Sequence, residues 1–297
     1  MKPIVNFALK IRGSLNRVGD YNFIAKREMG NVIPKVIHQT YHSKILPPEI
    51  QENIQYLKTL NPEWELKLYD DDEILNYIKS HYPNLVDIYN KINPIYGAAK
   101  ADFFRYLVVY NEGGVYLDIK SSMSKPLNDI LNAEDRYLLS HWQNGPDDFH
   151  PNIGFHDCIE SPYGEFQQWH LVATKGHPFL KAVIENVCNN IQNYNPYIHD
   201  SGGWSVVNLT GPIAYSLAIE PLLDLYPHRL ERDNFKFSFI YSVYESKGIS
   251  LGHHKIFKKH YTQSSESLVL LPFVHQIMFN ITKPIIKIIK TILKKLR

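Results

Sequence analysis

Residues 98–120 read AAKADFFRYLVVYNEGGVYLDIK and predict a helix that is followed closely by a strand. In the first half, apolar side chains recur at the spacing of one helix face, at Phe103, Phe104, Leu107 and Val108. Asp102 and Arg105 are three residues apart and share another face, where an exposed ion pair would contribute about 0.2–0.5 kcal/mol. Gly113 and Gly114 then favour the left-handed conformation that ends a helix.

The second half of this stretch predicts a strand that carries an acid. Residues 115–119 read VYLDI, a β-branched and aromatic run that is typical of a short buried strand, with Asp118 near its carboxyl end. In open α/β sheets, ligands bind beyond the carboxyl ends of the strands, where a carboxylate can reach sugar hydroxyls or a metal ion. Asp118, Asp102 and Arg105 are therefore candidate site residues, because arginine is suited to phosphate or carboxylate.

The preceding residues repeat this alternation of strands and helices. Residues 33–41 (IPKVIHQTY) predict a first strand, and residues 64–69 (WELKLY) alternate as a second. A helix with proline in its first turn lies between them, and Asp70 opens another, where acids are favoured by capping and by the helix dipole. The alternation predicts an α/β fold, a mostly parallel sheet flanked by helices on both faces.

The bulk composition limits the class of protein. The chain has 297 residues, enough for one large domain with a sizeable core. Its two cysteines, Cys158 and Cys188, are too few for a disulfide framework and fit a reducing compartment. The 32 basic and 30 acidic residues give a net charge of +2, so we expect no nucleic-acid partner.

The central stretch resembles glycosyltransferase family 32, the group with a DXD-type sugar-binding region. The family pattern is a small residue followed by D-x-x-R-Y, and then G-G-x-Y-x-D-x-D. Here it stands as residues 101–106 (ADFFRY) and 113–120 (GGVYLDIK). One position departs from the pattern, because Lys120 occupies the place of the second aspartate of DXD. Residues 166–178 and 208–212 (NLTGP) resemble later family motifs, so the resemblance covers roughly residues 33–265.

The resemblance implies a Rossmann-like fold of the nucleotide-sugar transferase type. It also implies a retaining hexosyltransferase that moves a sugar from a UDP- or GDP-sugar donor to a glycan or lipid-linked acceptor, in surface polysaccharide or glycan synthesis. The alternative is a catalytically inactive scaffold on the same fold. Such a protein would bind sugar nucleotides or glycans and would have lost transfer together with the second aspartate.

The same resemblance assigns roles to single residues. Asp118 would hold sugar or ribose hydroxyls, Asp102 would hold the far hydroxyls of the sugar, and Arg105 would bridge the sugar and the β-phosphate. The nucleotide pocket would be formed by residues at strand ends, namely His38, Gln39, Thr40, Tyr41, Tyr69 and Tyr116. From the residues alone, the alternative for the first strand is an ordinary core strand that ends in a surface tyrosine.

Lys120 determines whether a divalent ion is expected. In the DXD pattern the second carboxylate binds Mn²⁺ or Mg²⁺, which clamps the diphosphate. A protonated lysine does not ligate a metal. Either Lys120 meets the diphosphate directly, or Asp118 keeps the ion with help from a C-terminal histidine, for which His253, His254 and His260 are candidates. In a third interpretation Lys120 points to solvent. We expect Mn²⁺ or Mg²⁺ at a site that Lys120 weakens.

The two ends are expected to lie outside the catalytic part. We expect a basic N-terminal arm over residues 1–32, a glycosyltransferase domain over residues 33–270 and a basic amphipathic helix over residues 271–297. In residues 281–297, lysines at helical spacing lie opposite isoleucines, and there is no acid. This pattern predicts contact with an anionic membrane surface and a cytoplasmic, peripheral membrane location, although packing on its own domain is the alternative. The chain lacks an apolar run of about 18 residues, so we expect no spanning helix.

Overall fold

The computed structural model describes residues 15–16, 19–196, 199, 201–244, 264–282 and 284. Within them, a six-stranded sheet has the order β2-β1-β3-β6-β5-β7. Its strands are β1 (Val36–Thr40), β2 (Glu65–Tyr69), β3 (Gly114–Leu117), β5 (Tyr137–Ser140), β6 (His170–Ala173) and β7 (Arg229–Glu231). Among these six, β6 runs opposite to the other five. The predicted mostly parallel sheet is therefore confirmed.

A second, two-stranded sheet lies beside the first. It pairs β4 (Ser122–Met123) with β8 (Phe239–Ile240) in antiparallel register. This pairing brings the residues around 241 next to the segment that follows β3, because Ser121 Oγ donates to the Tyr241 carbonyl at 2.6 Å. Two distant parts of the chain are thus joined just beyond the end of β3.

Helices cover both faces of the six-stranded sheet. They are α1 (Pro48–Leu60), α2 (Asp71–His81), α3 (Val86–Lys91), α4 (Gly97–Glu112), α5 (Leu127–Ile130), α6 (Pro178–Gln192), α7 (Gly203–Leu209) and α8 (Pro212–Ile219). Short 3-10 turns follow over Pro83–Leu85, Glu220–Leu225 and Asn234–Phe237, and a further helix covers residues 273–282. One apolar core packs on the Tyr116 face of β3, and the other packs on the Val115 face.

Helix α4 is more deeply buried than its pattern predicts. Its apolar residues are buried, and Asp102 and Arg105 are buried as well, at 3% and 4% exposure. The interpretation of these two residues as an exposed ion pair is therefore wrong, since neighbouring elements cover the polar face too. The helix ends as predicted at Gly113, which has a φ of +75°.

Gly114 allows β3 to pack closely against β1. Its φ is +96°, and a Cβ at this position would lie 2.5 Å from Val36 Cγ1 and 2.6 Å from the Val36 carbonyl oxygen. A larger residue would push the two strands apart. The turn from α4 into β3 thus fixes where the carboxyl end of β3 emerges.

The predicted helix start after β2 is also observed. Asp70 accepts a hydrogen bond from the Glu73 amide, and the Glu73 side chain accepts one from the Asp70 amide, so the two form a capping box. These contacts account for Asp70 as a cap.

In the part of the chain that the structure describes, Gly203–Leu225 has the length and apolarity to cross a membrane, with a mean hydropathy of 1.3. The structure divides it into α7, α8 and a 3-10 turn. Val206, Leu209, Ile213 and Tyr215 are buried in the protein. This packing is that of a core element.

Candidate functional site

The carboxyl ends of β1 and β3 open into a cleft of about 1130 Å³. The sheet order places β1 and β2 on one side of β3, and the connection between β5 and β6 on the other. Asp102, Arg105, Asp118 and Lys120 all line the cleft. The structure thus brings together the four residues that the sequence selects as catalytic candidates.

Arg105 joins the two carboxylates. Its Nη2 lies 2.9 Å from Asp118 Oδ1 and 3.2 Å from Asp102 Oδ1. Its Nη1 donates to the Gln168 carbonyl at 2.9 Å and to Gln168 Oε1 at 2.8 Å, and its Nε contacts the Ala101 carbonyl at 3.4 Å. The five N–H groups of the guanidinium therefore face five protein oxygens. In this arrangement Arg105 positions the carboxylates, whereas the sequence prediction has it grip a β-phosphate.

Asp102 is held from three directions. Beyond its contact with Arg105, it accepts hydrogen bonds from Thr210 Oγ1 at 2.9 Å and from Gln168 Nε2 at 3.2 Å. Burial raises the pKa of Asp102 above its usual range, while Arg105 and Thr210 act in the opposite direction. These partners fix the orientation of Asp102 at the cleft wall.

Asp118 lies in the turn that follows β3, one step beyond the last strand residue. Its amide donates to the Trp169 carbonyl at 2.9 Å, and its carbonyl accepts from the Ser121 amide at 2.8 Å. The strand was predicted to continue to Ile119, and the structure ends it at Leu117. The earlier turn leaves the Asp118 side chain at the carboxyl end of the sheet, where it is predicted to act.

Lys120 is turned into the cleft, so the interpretation that it points to solvent is wrong. Its Nζ lies 2.7 Å from Asp118 Oδ2 and 4.4 Å from the centroid of the Tyr241 ring. The residue is 9% exposed. The Val243 amide donates to the Lys120 carbonyl at 3.0 Å, which holds the backbone in place. A buried positive charge thus stands at the second position of the DXD pattern.

The four ionised side chains carry balanced charge. Burial alone would lower the pKa of Arg105, but the negative charge of Asp118 and its neighbours raises it further above its usual range, so Arg105 stays protonated. Its guanidinium also lies 4.6 Å from the centroid of the Tyr116 ring. The site is thus a fixed array of two carboxylates and two cations.

The residues present do not fit the divalent ion that the resemblance implies. One Asp118 oxygen contacts Arg105 and the other contacts Lys120, so both face positive charge. Within the described residues, no group of three or more His, Cys, Asp and Glu side chains is placed to hold a metal. The three candidate histidines lie outside the described residues, namely His253, His254 and His260.

The residues predicted to bind the nucleotide fall into two groups. Thr40, Tyr41 and Tyr116 line the cleft, and Thr40 Oγ1 lies 2.9 Å from the Tyr116 hydroxyl. Tyr69 and His38 are not part of its lining, because they lie against each other, with His38 Nδ1 3.1 Å from the Tyr69 hydroxyl. The structure therefore places only the first group where a nucleotide would reach it.

His38 and Gln39 support the site from below. The other ring nitrogen of His38 lies 3.1 Å from the Gly113 carbonyl, and burial lowers the pKa of His38 to about 4. Gln39 Nε2 donates to the Asp118 carbonyl at 3.4 Å. Neither residue lines the cleft. Their contacts hold the end of α4 and the turn at Asp118.

Three important residues were not selected as site candidates from the sequence. Gln168 and Thr210 hold Asp102, and Tyr241 lies against Lys120. Gln168 and Thr210 fall in stretches that resemble later family motifs, so their motif position was the signal that would have found them. Tyr241 carries no such motif, and only the pairing of β4 with β8 brings it to the cleft.

The residues just before β6, within the stretch 166–178 that resembles a later family motif, contribute to the site. In the structure β6 begins at His170. Residues 166–169 instead run beside α4, where Gln168 contacts Arg105 and the Tyr106 hydroxyl. The irregular backbone frees the Gln168 side chain for the cluster.

Part of this geometry lies in a region that matches a known family. Residues 47–137 match the model of the glycosyltransferase sugar-binding region containing the DXD motif. This stretch of the chain is thus similar to the sugar-binding region of that glycosyltransferase family. The matched sugar-binding region contains α4, β3, Asp118 and Lys120, whereas Gln168, Thr210 and Tyr241 lie beyond it.

Curated relatives extend the similarity. Inositol phosphoceramide mannosyltransferase 3 of Schizosaccharomyces pombe is 27% identical over 218 residues, which cover 72% of this chain and 53% of the relative. Mannosyl phosphorylinositol ceramide synthase SUR1 of Saccharomyces cerevisiae is 33% identical over 100 residues, which cover 34% of this chain and 26% of the relative. The chain thus spans about half, or less, of the length of these relatives.

Among solved structures, the PaToxG glycosyltransferase resembles this fold with a TM-score of 0.44 and 17% identity. The alignment covers 74% of this chain and 78% of that chain.

Proposed function

We propose that this protein transfers a sugar from a UDP- or GDP-sugar to a hydroxyl of a glycan or lipid-linked acceptor. The observation that carries this proposal is the convergence of Asp102, Arg105, Asp118 and Lys120 at a cleft beyond the carboxyl end of β3. Their burial is costly unless they serve a purpose, because desolvated ion pairs add little to stability. Four charged groups held in fixed positions are suited to orienting a polar donor.

The cleft offers a separate place for each part of the donor. The nucleotide lies beside Thr40 and Tyr41, where the tyrosine ring packs on the base. The sugar lies over Asp118 and Tyr116, with carboxylate oxygens as hydroxyl acceptors. The diphosphate lies at Lys120, whose ammonium keeps two N–H donors beyond the one directed at Asp118. This layout follows the order of the lining residues along the sheet.

Lys120 stands in for the metal in this proposal. Its charge is placed where the second aspartate of DXD would hold a divalent ion, and it stabilises the departing diphosphate through charge-assisted hydrogen bonds. Tyr241 and Asp118 hold the ammonium in position. Of the two interpretations left open by the sequence, the donor set of the described residues favours the direct contact.

Transfer proceeds with retention of the anomeric configuration. The bond between C1 of the sugar and the β-phosphate oxygen breaks, the acceptor oxygen bonds to C1 from the same face, and the acceptor proton passes to the departing β-phosphate. Asp118 and Asp102 are both tied to cations, an arrangement that suits holding hydroxyls more than attacking C1. Retention is tested by NMR of the product anomer.

The acceptor is proposed to be lipid-linked and presented at a membrane. The names of the fungal relatives point to mannosyl transfer onto an inositol phosphoceramide lipid. In the helix over residues 273–282, Phe273, Val274, Ile277 and Met278 are exposed apolar side chains. The lysines that follow in the sequence add positive charge, so we propose peripheral attachment to an anionic cytoplasmic membrane face.

A nucleotide-release assay tests the proposal. The full chain is incubated with UDP- and GDP-sugars, with vesicles that contain phosphoinositol lipids, and with either Mn²⁺ or EDTA. We expect release of one nucleotide that depends on the acceptor and persists in EDTA. Donor binding without release across this panel would support the scaffold interpretation, and the absence of donor binding would contradict both.

A further inference from the structure

A second group of side chains lines the same cleft on the side of the β5–β6 connection. It consists of His156, Glu165, Trp204 and Phe155. The donor site described above uses none of these residues. Their chemistry differs from that of the charged cluster, because it combines exposed aromatic rings with one hydrogen-bonded polar pair.

The polar pair is formed by His156 and Glu165. His156 Nε2 lies 2.6 Å from Glu165 Oε2, and the other Glu165 oxygen accepts from Trp142 Nε1 at 2.9 Å. Glu165 is 4% exposed, so its carboxylate is committed to these two partners. Because a carboxylate only accepts, His156 donates from Nε2, and in the neutral ring Nδ1 is then left as an acceptor.

The aromatic rings are presented to solvent at the cleft. Trp204 is 52% exposed and Phe155 is 47% exposed, which is unusual for large apolar side chains in a cleft that already has a deep core beneath it. The Trp204 and His156 ring centroids lie 5.5 Å apart with an interplanar angle of 67°. An open indole face therefore adjoins a fixed hydrogen-bonding ring.

Close backbone contacts fix both rings. Gly202 precedes Trp204 with a φ of +82°, and a Cβ there would lie 2.6 Å from the Ser264 carbonyl oxygen. On the other wall, the Glu165 amide donates to the Gly154 carbonyl at 2.8 Å. Gly154 itself has a φ of +84°, and a Cβ there would lie 2.7 Å from Trp142 Cδ1. The connection between β5 and β6 is thus held at the residues that line the cleft.

We propose that Trp204 and the His156–Glu165 pair form the acceptor subsite, and that it takes a six-membered ring polyol, either a hexopyranoside or a cyclitol. Such a ring has one face of C–H groups, which packs on an indole, and an edge of hydroxyls, one of which donates to His156 Nδ1. Pockets of this kind combine aromatic walls with few polar groups that set orientation. The term acceptor rests on the proposed function, whereas ring binding does not depend on turnover.

Saturation-transfer NMR tests ring binding directly. The probes are methyl α-hexopyranosides, myo-inositol and, as an open-chain control, sorbitol, each added to the full chain without donor. We expect ring probes to receive saturation and sorbitol to receive much less. The signal should fall in Trp204→Ala and recover partly in Trp204→Phe. Phe235→Ala is the matched control, because Phe235 is 43% exposed and is not part of the cleft lining.

Steady-state kinetics test whether this subsite binds the acceptor. In Trp204→Ala and His156→Phe, the acceptor KM should rise by roughly tenfold, as expected for the loss of one stacking or hydrogen-bonding contact. In the control variant Phe235→Ala, the acceptor KM should stay unchanged, because Phe235 is not part of the cleft lining. The saturation-transfer probes identify the source of the ring. Saturation of myo-inositol but not of the hexopyranosides assigns the subsite to a lipid-type headgroup, and the reverse assigns it to a glycan end.

Three results would overturn the subsite. Equal saturation of sorbitol and the ring probes would show that no ring is recognised. An unchanged signal in Trp204→Ala, or an equal loss in Phe235→Ala, would remove Trp204 from the subsite. If the ring probes bind as expected but no donor is turned over, the proposed function fails while the ring-polyol site stands.

Discussion

Two aspartate–arginine pairs in this protein lie at opposite ends of the same sheet. At the amino ends of β5 and β7, Arg229 meets Asp135 through two contacts, Nε to Oδ1 at 3.0 Å and Nη2 to Oδ2 at 2.6 Å. At the carboxyl end of β3, Arg105 is shared by Asp118 and Asp102. The first pair borders a smaller cavity of about 480 Å³, and the second lies in the large cleft.

The difference between the pairs separates a structural role from a functional one. One guanidinium and one carboxylate satisfy each other at Asp135, with the Ile130 carbonyl as a further acceptor. The cleft instead holds a second carboxylate, which also contacts Arg105, and the ammonium of Lys120, which contacts Asp118. A buried cluster of four charged groups, in place of a single pair, at the end where α/β sheets bind ligands indicates a site.

The largest difference between the pairs is expected for activity. Asp118→Asn should lower kcat/KM for nucleotide release by about 10²–10³-fold, because a positioned charge is lost from the sugar site. The matched variant Asp135→Asn should leave kcat/KM within about twofold and lower the free energy of unfolding by about 1–3 kcal/mol. Steady-state kinetics and urea denaturation of both variants make the comparison. Similar losses of activity in both variants would contradict the assignment of a functional role to Asp118 and a structural role to Asp135.

Lys120 is expected to show the next largest effect. Lys120→Met should lower kcat by about 10–100-fold, since one charge-assisted contact to the leaving group disappears. Lys120→Asp restores the DXD pattern and should make transfer depend on Mn²⁺. Initial rates are measured in EDTA and across a Mn²⁺ titration. A wild-type protein that already requires Mn²⁺ would refute the direct role of Lys120.

Thr210 tests whether Asp102 must be held in place. Thr210→Val removes the hydroxyl that donates to Asp102 Oδ2 and keeps the side-chain volume. We expect about a tenfold fall in kcat/KM, as one hydrogen bond to a charged group is lost. Thr210→Ser should retain most of the activity. If Thr210→Ser loses activity as well, Thr210 has a packing role instead.

The smallest expected effect is on the pH dependence of stability. It arises from core histidines, in contrast to the effects at the two aspartate–arginine pairs. Burial lowers the pKa of His38 and of His177 to about 4, from 6.5 in the unfolded chain. Between these values the unfolded chain binds more protons, so stability falls as the pH drops below 6.5. The linkage amounts to about 0.7 kcal/mol per histidine between pH 7 and pH 6. Urea denaturation of the wild type and of His177→Gln at several pH values measures this linkage. An equal change in the free energy of unfolding with pH for both proteins would contradict the lowered pKa of His177.

Local patterns accounted for much of the fold and for the centre of the site. The helix stop at Gly113, the cap at Asp70 and the acid after β3 all follow from neighbouring residues, so they were predictable. Three of the catalytic candidates follow from α4 and β3 being adjacent in sequence, and the resemblance to the DXD pattern adds Lys120. Nucleotide contacts were harder to place, because only the end of β1 reaches the cleft. Thr40 lines the cleft, whereas His38, two residues earlier on the same face of the strand, contacts Tyr69 instead.

Long-range contacts account for what the sequence did not reveal. Gln168 and Thr210 lie more than sixty and one hundred residues from Asp102. They reach it only because α4 lies against the segment before β6 and against the residue that follows α7. Burial of the Asp102–Arg105 pair is likewise a consequence of that packing. Tyr241 meets Lys120 because β8 pairs with β4. Periodicity along the chain carries no information about such partners.

The central claim is that Lys120 supplies the charge that receives the diphosphate. Isothermal titration in EDTA with UDP, UMP, GDP and GMP, for the wild type and Lys120→Met, tests it most directly. We predict that the wild type binds one of the diphosphates more tightly than its monophosphate by roughly tenfold or more, and that this difference disappears in Lys120→Met. An equal preference for diphosphate in both proteins, or a wild-type preference that appears only with Mn²⁺, would contradict the claim.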